Sequence, residues 1–319
     1  MVSTTTSVPA RGHAAAPARP APAPRPRSPK DSLGTKVFSV LNTVFMLLLC
    51  AVMLYPFLTV LAQSFSSPGA IRAGRVNLVP VGFNVDTYVA VLTNATFWRN
   101  YGNTVLYTVL GTALAMLLTT TYAYVLSKKH LKRRGVLIGV AVFTMFFNGG
   151  IVPNYVLLSS LGMKDTMWAV IVPGALSAFN LLVMKSFFEN LPVELEEAAQ
   201  IDGLGWYSIF LRIVLPLSKA VIATMVLFYS VQYWNDWFGA FLYLTKTELF
   251  PITLYLRNLI AGASNAASEG AAAAGSTSTA LGANIQAVTM ILTVLPILCV
   301  YPFVQRYFVT GVMLGSVKG

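Results

Sequence analysis

The chain has few charged residues and few of the residue types from which catalytic and metal sites are built. Charged residues make up 10% of its 319 residues, against about 25% in ordinary soluble domains, and 56% are hydrophobic. The two histidines, His13 and His130, lie in an N-terminal tail and a basic loop, so no histidine-based catalytic or zinc site is predicted. The two cysteines, Cys50 and Cys299, lie in apolar runs without a neighbouring partner, and they indicate nothing about the redox compartment. This composition predicts an integral membrane protein.

Motifs for an energy source or for chemistry within the membrane are also missing. The dipeptide Gly-Lys occurs nowhere, which excludes the phosphate-binding loop G-x-x-x-x-G-K-[ST], so any ATP that drives this protein is bound by another polypeptide. Paired acids, an embedded histidine and a G-x-S-x-G elbow are absent too, which argues against an intramembrane enzyme. A secondary transporter or channel needs ionisable residues inside the membrane, and Asp236 is the only acidic candidate, with no evident inverted repeat. That class is the weaker alternative.

Long apolar runs are what the sequence does contain. A membrane-spanning helix needs about 20 mostly apolar residues. Six runs of this kind occur, near residues 37 to 62, 103 to 127, 136 to 158, 166 to 187, 219 to 244 and 286 to 308. The predicted fold class is therefore an all-α membrane protein with six transmembrane helices.

Basic residues near the spans predict the orientation, because cytoplasmic loops carry an excess of Lys and Arg. With the N-terminus inside, most of the 22 Lys and Arg residues fall on inner segments. The outer segments hold Arg72, Arg75, Arg99, Lys164, Lys246 and Arg257. Both termini are thus predicted to be cytoplasmic, in the plasma membrane. The net charge of +11 is a topology signal, since the basic residues lack the aromatic-interleaved surface typical of nucleic-acid binding.

Two segments stand apart from the spans. Residues 1 to 35 are rich in Ala, Pro and Arg without hydrophobic periodicity, and we expect a disordered cytoplasmic tail there. The membrane domain is predicted to cover residues 36 to 319. Within it, the outer loop becomes low in complexity near residues 262 to 284, where Ala, Gly and Ser dominate.

One block between the fourth and fifth spans is acidic and helix-forming in an otherwise apolar chain. Glu197 to Pro216, here called the docking segment, reads EAAQIDGLGWYSIFLRIVLP. Glu194, Glu196 and Glu197 complement a helix N-terminus, and Gly203 can adopt the left-handed conformation that ends a helix. Small Ala side chains would let another protein approach closely. The pattern predicts two short helices joined at Gly203, with Pro216 interrupting the second, on the cytoplasmic side.

Two stretches inside the spans combine polar groups with helix breakers or aromatic rings. Residues 148 to 155 contain two glycines and a proline, so the third span is predicted to break there, and a broken helix at membrane depth usually lines a cavity. Residues 232 to 238 alternate aromatic rings with amide and carboxylate groups, a set that can bind sugars. An aromatic belt near the outer interface, with Asp236 paired locally or with a partner subunit, is the simpler interpretation of this second stretch. The predicted substrate-path residues are Asn148, Asn154, Tyr155, Tyr233, Asn235, Asp236 and Trp237.

The docking segment resembles the EAA loop of binding-protein-dependent ABC importer permeases. The spacing of Glu, Ala, Ala, Gly, Ile, Leu and Pro is matched by Glu197, Ala198, Ala199, Gly203, Ile213, Leu215 and Pro216. Residues 84 to 104, 148 to 155, 192 to 203 and 234 to 237 extend the likeness to carbohydrate-importer permeases of the maltose-permease class. The likeness is closest to the branch of lipoprotein-linked, complex-polysaccharide and oligosaccharide permeases, and it covers residues 37 to 319.

This resemblance implies a transporter subunit rather than an enzyme. A related second permease, two ATPase subunits and an extracellular solute-binding protein are the implied partners, and a sugar or oligosaccharide is the implied solute. The EAA loop, about residues 188 to 218, would fit the ATPase, with ATP bound on that partner and no cofactor on this chain. The implied coupling residues are Glu197, Ala198, Ala199, Asp202, Gly203, Ile213, Leu215 and Pro216. A permease for a non-carbohydrate solute is the alternative within the class, since EAA loops also serve other importers.

Overall fold

A computed structural model describes residues 33 to 270 and 283 to 300 of the chain, with side chains given to residue 262 and again from 283. Every regular element in these ranges is a helix, and none of the described residues lies in a strand. The chain packs as two units, one ending at Met53 and the other beginning at Leu54. The predicted tail falls almost entirely outside the described residues, and so does the centre of the predicted low-complexity loop.

The described helices follow one another with short connections. In chain order they are α1 (Leu33–Ser64), α2 (Pro68–Arg72), α3 (Asp86–Leu92), α4 (Ala95–Ser127), α5 (Arg134–Phe146), α6 (Ile151–Ser160), α7 (Trp168–Ile171), α8 (Ala178–Glu189), α9 (Val193–Ile201), α10 (Trp206–Ile209), α11 (Leu215–Leu217), α12 (Lys219–Asn235), α13 (Phe238–Tyr243), α14 (Ile252–Gly270) and α15 (Ala283–Val300). A 3-10 turn, Val172–Gly174, extends α7, and a π-helical turn, Phe210–Val214, joins α10 to α11.

Three of the described helices, α1, α4 and α15, are long and apolar enough to cross a bilayer without a break. Three bent pairs also meet this test. The axes turn by 115° between α5 and α6, by 49° between α7 with its 3-10 turn and α8, and by 83° between the segment Trp206–Leu217 and α12. The predicted break in the third span is confirmed. The fourth and fifth spans were expected to be continuous, but the chain breaks at residues 172 to 177 and between α12 and α13.

The break in the fourth span has a clear cause and a defined set of hydrogen bonds. Pro173 has no N–H to donate, and a 3-10 turn replaces the helix around it. Ser177 then caps α8, its hydroxyl accepting from the Asn180 N–H. Two tyrosines of α12 satisfy other backbone groups of the break: the Tyr229 hydroxyl accepts from the Ser177 N–H at 3.1 Å, and the Tyr233 hydroxyl donates to the Ile171 carbonyl at 2.8 Å.

The largest buried cluster joins α4, α8, α12 and the segment from α9 to α11. Tyr124, Phe188, Phe210 and Met225 are among its members, and α4 and α12 form its longest contact. The pair Gly135 and Gly139 has the spacing of a close helix contact, but no atom lies within 4 Å of a Cβ built at either position. Close approach occurs instead at Gly111 of α4, which faces the ring of Tyr233.

Candidate docking segment and substrate path

The docking segment begins in the short helix α9, and both ends of this helix have the residues that the sequence predicts for a helix start and a helix stop. Pro192 precedes α9, and Glu194 and Glu196 lie in its first turn, where carboxylates complement the helix dipole. Gly203 has a φ of 81°, the left-handed conformation that the sequence predicted. Its N–H donates to the Gln200 carbonyl and the Leu204 N–H to the Ala199 carbonyl, both at 3.0 Å. These two bonds form a Schellman motif, so α9 ends here because glycine permits the reversal.

One side of α9 packs into the core. Ala199 is 4% exposed and lies in the largest buried cluster together with Ile209 and Val214. Of the other residues predicted for this segment, Ile213 and Leu215 are partly buried and pack against the same cluster. Pro216 is exposed within α11, and the sharp bend follows two residues later, at Ser218.

The other side of the segment is exposed. Glu197 and Ala198 of α9 are exposed, as is Asp202 at its C-terminal end. Ile201 and Tyr207, on either side of Gly203, are 87% and 86% exposed. The segment therefore presents two projecting apolar side chains and small residues next to an acidic helix.

Ion pairs join the end of α4 to α9 and the start of α5 to the end of α8. Lys128, at the C-terminal cap of α4, pairs with Glu196 in the first turn of α9. Arg134 and Lys185 both pair with Glu189 at the end of α8. The Lys128 and Glu196 side chains are 16% and 13% exposed. Lys128 and Glu196 are 68 residues apart and Arg134 and Glu189 are 55 residues apart, so no local pattern indicates that these partners meet. Lys185 and Glu189, in contrast, lie four residues apart on α8.

The predicted substrate-path residues of the third span lie at the break between α5 and α6. Asn148 accepts from the Gly150 N–H at 2.9 Å, and Asn148 and Asn154 are both exposed. Tyr155 stacks on Tyr243 of α13, with 6.2 Å between ring centroids, and the Lys164 ammonium lies 5.4 Å from the Tyr155 ring. This aromatic pair joins α6 to α13.

The predicted residues of the fifth span lie in different environments. Tyr233 is buried, whereas the Asn235 amide is exposed and bonds the Val231 carbonyl within its own helix. Asp236 accepts from the Gly239 N–H at 2.8 Å, which caps the start of α13. Trp237 lies 5.6 Å from the guanidinium of Arg257, which also approaches the Phe241 ring. Only part of this predicted group is therefore available to a solute.

A cavity of about 890 Å³ lies beside these residues, among α4, α8, α12 and α15. Thr108, Ser177, Asn180 and Gln232 contribute polar groups to its wall, and apolar residues of α12 and α15 contribute the rest. The seven predicted path residues are not part of this wall, although Gln232 and Trp234 flank Tyr233.

Comparisons with known proteins give related transport proteins. Protein LplC of Bacillus subtilis (strain 168) is 40% identical over 284 residues, which cover 89% of this chain and 96% of that protein. The polygalacturonan/rhamnogalacturonan transport system permease protein YtcP of the same organism is 38% identical over 284 residues, 89% of this chain and 99% of that protein. A solved bacterial ABC transporter involved in the import of the acidic polysaccharide alginate matches with a TM-score of 0.79 and 30% identity, over 88% of this chain and 100% of its own. No family model matches the chain.

Proposed function

This chain belongs to the family of ABC transporter permeases, and we propose that it is the membrane-spanning subunit of an importer for an oligosaccharide or polysaccharide fragment. The observation that carries the proposal is the docking segment, a short acidic helix closed by Gly203 and followed by exposed apolar side chains. The alginate importer and the polygalacturonan/rhamnogalacturonan permease YtcP support a carbohydrate as the solute.

We propose that the protein spans the plasma membrane six times, with both termini in the cytoplasm. Three unbroken helices and three bent pairs are long and apolar enough for six crossings if each bent pair is one span, and the distribution of Lys and Arg supports this orientation. The docking segment, between the fourth and fifth crossings, then lies on the cytoplasmic side. There it would contact an ATPase subunit that binds ATP, because this sequence contains no phosphate-binding loop.

The docking segment has a buried face and an exposed face, and each has a separate role in the proposed contact. The buried face, with Ala199, fixes α9 to the permease, while the exposed face, with Glu197, Ala198 and Ile201, is available to the ATPase. Gly203 sets the angle between the two short helices. Closure of two ATPase subunits, one on this chain and one on a related second permease, would push this face and drive alternating access.

We propose that the break between α5 and α6 lines the substrate path. The 13 residues of α5 span about 20 Å, short of the roughly 30 Å hydrocarbon layer, so the following turn lies at membrane depth. Irregular backbone at that depth is tolerated only inside protein or beside water. Asn148, Gly149 and Gly150 are nevertheless exposed on this chain. The second permease and the hydrated solute would cover them.

Two aromatic rings, one within α6 and one at the start of α13, support a chemical class for the solute. Tyr155 lies beside the Lys164 ammonium, and Trp237 beside the Arg257 guanidinium. Rings stack on the apolar faces of sugars, and the cations can pair with sugar carboxylates. An acidic oligosaccharide delivered by an external solute-binding protein is therefore the proposed cargo.

Affinity purification of the tagged protein from mild detergent tests the assembly. We expect an ATPase, a second permease and a sugar-binding protein to co-purify, and reconstituted complexes to import acidic oligosaccharides with ATP.

Gly203→Pro and Ala199→Trp should insert normally and lose the link between ATP hydrolysis and uptake. Normal uptake by both variants would refute the docking role. Recovery of this chain alone, transporting with an ion gradient and no ATP, would instead establish the secondary-transporter alternative.

A further inference from the structure

The C-terminal end of α4 is joined directly to the docking helix. Lys128 caps α4 and pairs with Glu196 of α9, and its ammonium also lies 4.1 Å from the centroid of the Tyr124 ring. The Lys128 stem and Glu196 are largely shielded from solvent, so the pair holds a defined geometry rather than a mobile surface contact. A displacement of α9 therefore moves the inner end of α4.

The same end of α4 is tied to its neighbours by a second charged group. The Arg134 guanidinium donates to the Leu126 carbonyl at 2.7 Å and pairs with Glu189 of α8. Lys185 also pairs with Glu189, at 2.8 Å. The last turn of α4 and the facing ends of α5 and α8 thus form one cluster beside α9.

From this joint α4 runs without a break to the opposite side of the protein. Its 33 residues include no proline and extend about 50 Å, more than the full thickness of a bilayer with its head groups. The crossings formed by the bent pairs, in contrast, contain breaks of 49° to 115°. A continuous helix is the stiffest available connection between the two faces.

The outer end of α4 is joined to the segment that leads into α14. The Asn103 amide donates to the carbonyls of Glu248 and Phe250 at 2.7 and 3.1 Å. The Tyr107 hydroxyl donates to the Leu249 carbonyl at 2.8 Å, and Thr104 accepts from the Ile252 N–H at 2.7 Å. Side chains from two turns of α4 thus hold the backbone of residues 248 to 252.

We infer that α4 is the rod that carries motion of the docking helix to the outer segment 248–252, with Lys128 as the positioning residue at its inner joint. The inference rests on the proposed function, because an ATPase must supply the motion of α9. It adds a specific route: closure of the ATPase moves α9, the Lys128–Glu196 pair moves α4, and α4 moves the outer segment 248–252.

Charge reversal in the assembled importer tests this route. Lys128→Glu should lower uptake per ATP hydrolysed about tenfold, and Glu196→Lys should do the same, whereas the double exchange should restore most of the coupling because the pair re-forms with opposite sign. Lys129→Glu, at the exposed neighbouring position, is the matched control and should couple like the wild type. Glu196→Gln, which removes the charge and keeps the size, serves if a reversal fails to insert.

A second readout measures the outer end of the rod. Cys50 and Cys299 are first replaced by serine, and Glu248→Cys then introduces a single cysteine at the outer segment. The rate at which a thiol reagent labels this cysteine should change when ATP is trapped on the complex. Lys128→Glu should abolish that change, and the double exchange should recover it. The inference is overturned if the labelling rate in Lys128→Glu still changes with trapped ATP, or if the double exchange couples uptake to ATP hydrolysis no better than the single variants. Either result leaves the docking function intact. Failure of the wild type to assemble with an ATPase overturns the docking function itself.

Discussion

Gly111 of α4 lies directly against the ring of Tyr233 of α12. A Cβ atom at position 111 would come within 2.7 Å of the tyrosine ring carbons, closer than Cβ atoms approach other atoms in proteins. The ring cannot move aside, because its hydroxyl is bonded to the Ile171 carbonyl and Gly174 lies on its other side. The helices α4 and α12 can therefore approach each other this closely only because position 111 lacks a side chain.

Gly111→Ala is expected to push α4 and α12 apart. Overpacking of this kind costs about 1 to 3 kcal/mol, so the free energy of unfolding in detergent should fall by that amount. Gly102→Ala is the matched control in the same helix, since a Cβ there meets nothing within 4 Å and alanine favours the helix. Unfolding titrations of the two variants check the difference, and equal stability would contradict the proposed packing.

Tyr229 makes a second buried link, between α12 and the break in the fourth span. Its hydroxyl lies 2.7 Å from the Thr119 hydroxyl and accepts from the Ser177 N–H. Tyr229→Phe leaves that N–H without its acceptor at membrane depth, which should lower the free energy of unfolding by about 1 to 3 kcal/mol. Tyr122→Phe removes a hydroxyl bonded to the exposed Leu137 carbonyl, and it should have a smaller effect. Denaturant titration of both variants provides the comparison, and a larger loss in Tyr122→Phe would count against this role.

Features specified by neighbouring residues were predictable from the sequence. The end of α9 at Gly203 and the break at Gly149 and Gly150 follow from short-range backbone preferences, and both occur in the structure. The apolar runs also located the long helices, although α4 begins at Ala95, eight residues before the predicted span, because its first turns lie outside the most apolar stretch.

Features that depend on distant residues were not predictable. The break near Pro173 was not predicted, since the tyrosines that satisfy its backbone lie more than 50 residues away in α12. The partners Lys128 and Glu196 are 68 residues apart, and each alone is typical of a solvated span end. The sequence also predicted Asn148 and Asp236 as members of one group of path residues. In the structure each side chain instead accepts a hydrogen bond within its own turn, Asn148 from the Gly150 N–H and Asp236 from the Gly239 N–H.

Asp165, in the connection between α6 and α7, gives the stability a pH dependence with a definite sign. The Thr245 N–H and hydroxyl, with the Lys246 N–H, donate to its carboxylate and hold its pKa below the usual range. Because the folded pKa is lowered, the stabilisation is complete above the unfolded Asp pKa of about 3.9 and is lost as the pH falls through the folded value. Asp165→Asn tolerates the left-handed backbone at this position, with its φ of 57°, but lacks the charge.

The stability difference between wild type and Asp165→Asn should therefore be constant from neutral pH to about pH 5 and should disappear only in stronger acid. Thermal unfolding in detergent at several pH values measures it. A difference that grows as the pH falls would show that the carboxylate is not held in its charged form by these donors.

Substitutions at Gly203 test whether the backbone angle there, rather than the exposed surface around it, determines contact with the ATPase. Nothing lies within 4 Å of a Cβ at position 203, so Gly203→Ala should cost only about 1 kcal/mol, through the strain of a positive φ. Gly205→Ala is a close control, because Gly205 has a φ of −78° and equally open surroundings. We expect Gly203→Ala to lower uptake per ATP hydrolysed in proteoliposomes, Gly205→Ala to match the wild type, and Gly203→Asn to recover part of the loss, since asparagine tolerates the left-handed conformation. If Gly205→Ala lost as much coupling as Gly203→Ala, the exposed surface rather than the angle set by Gly203 would determine contact with the ATPase.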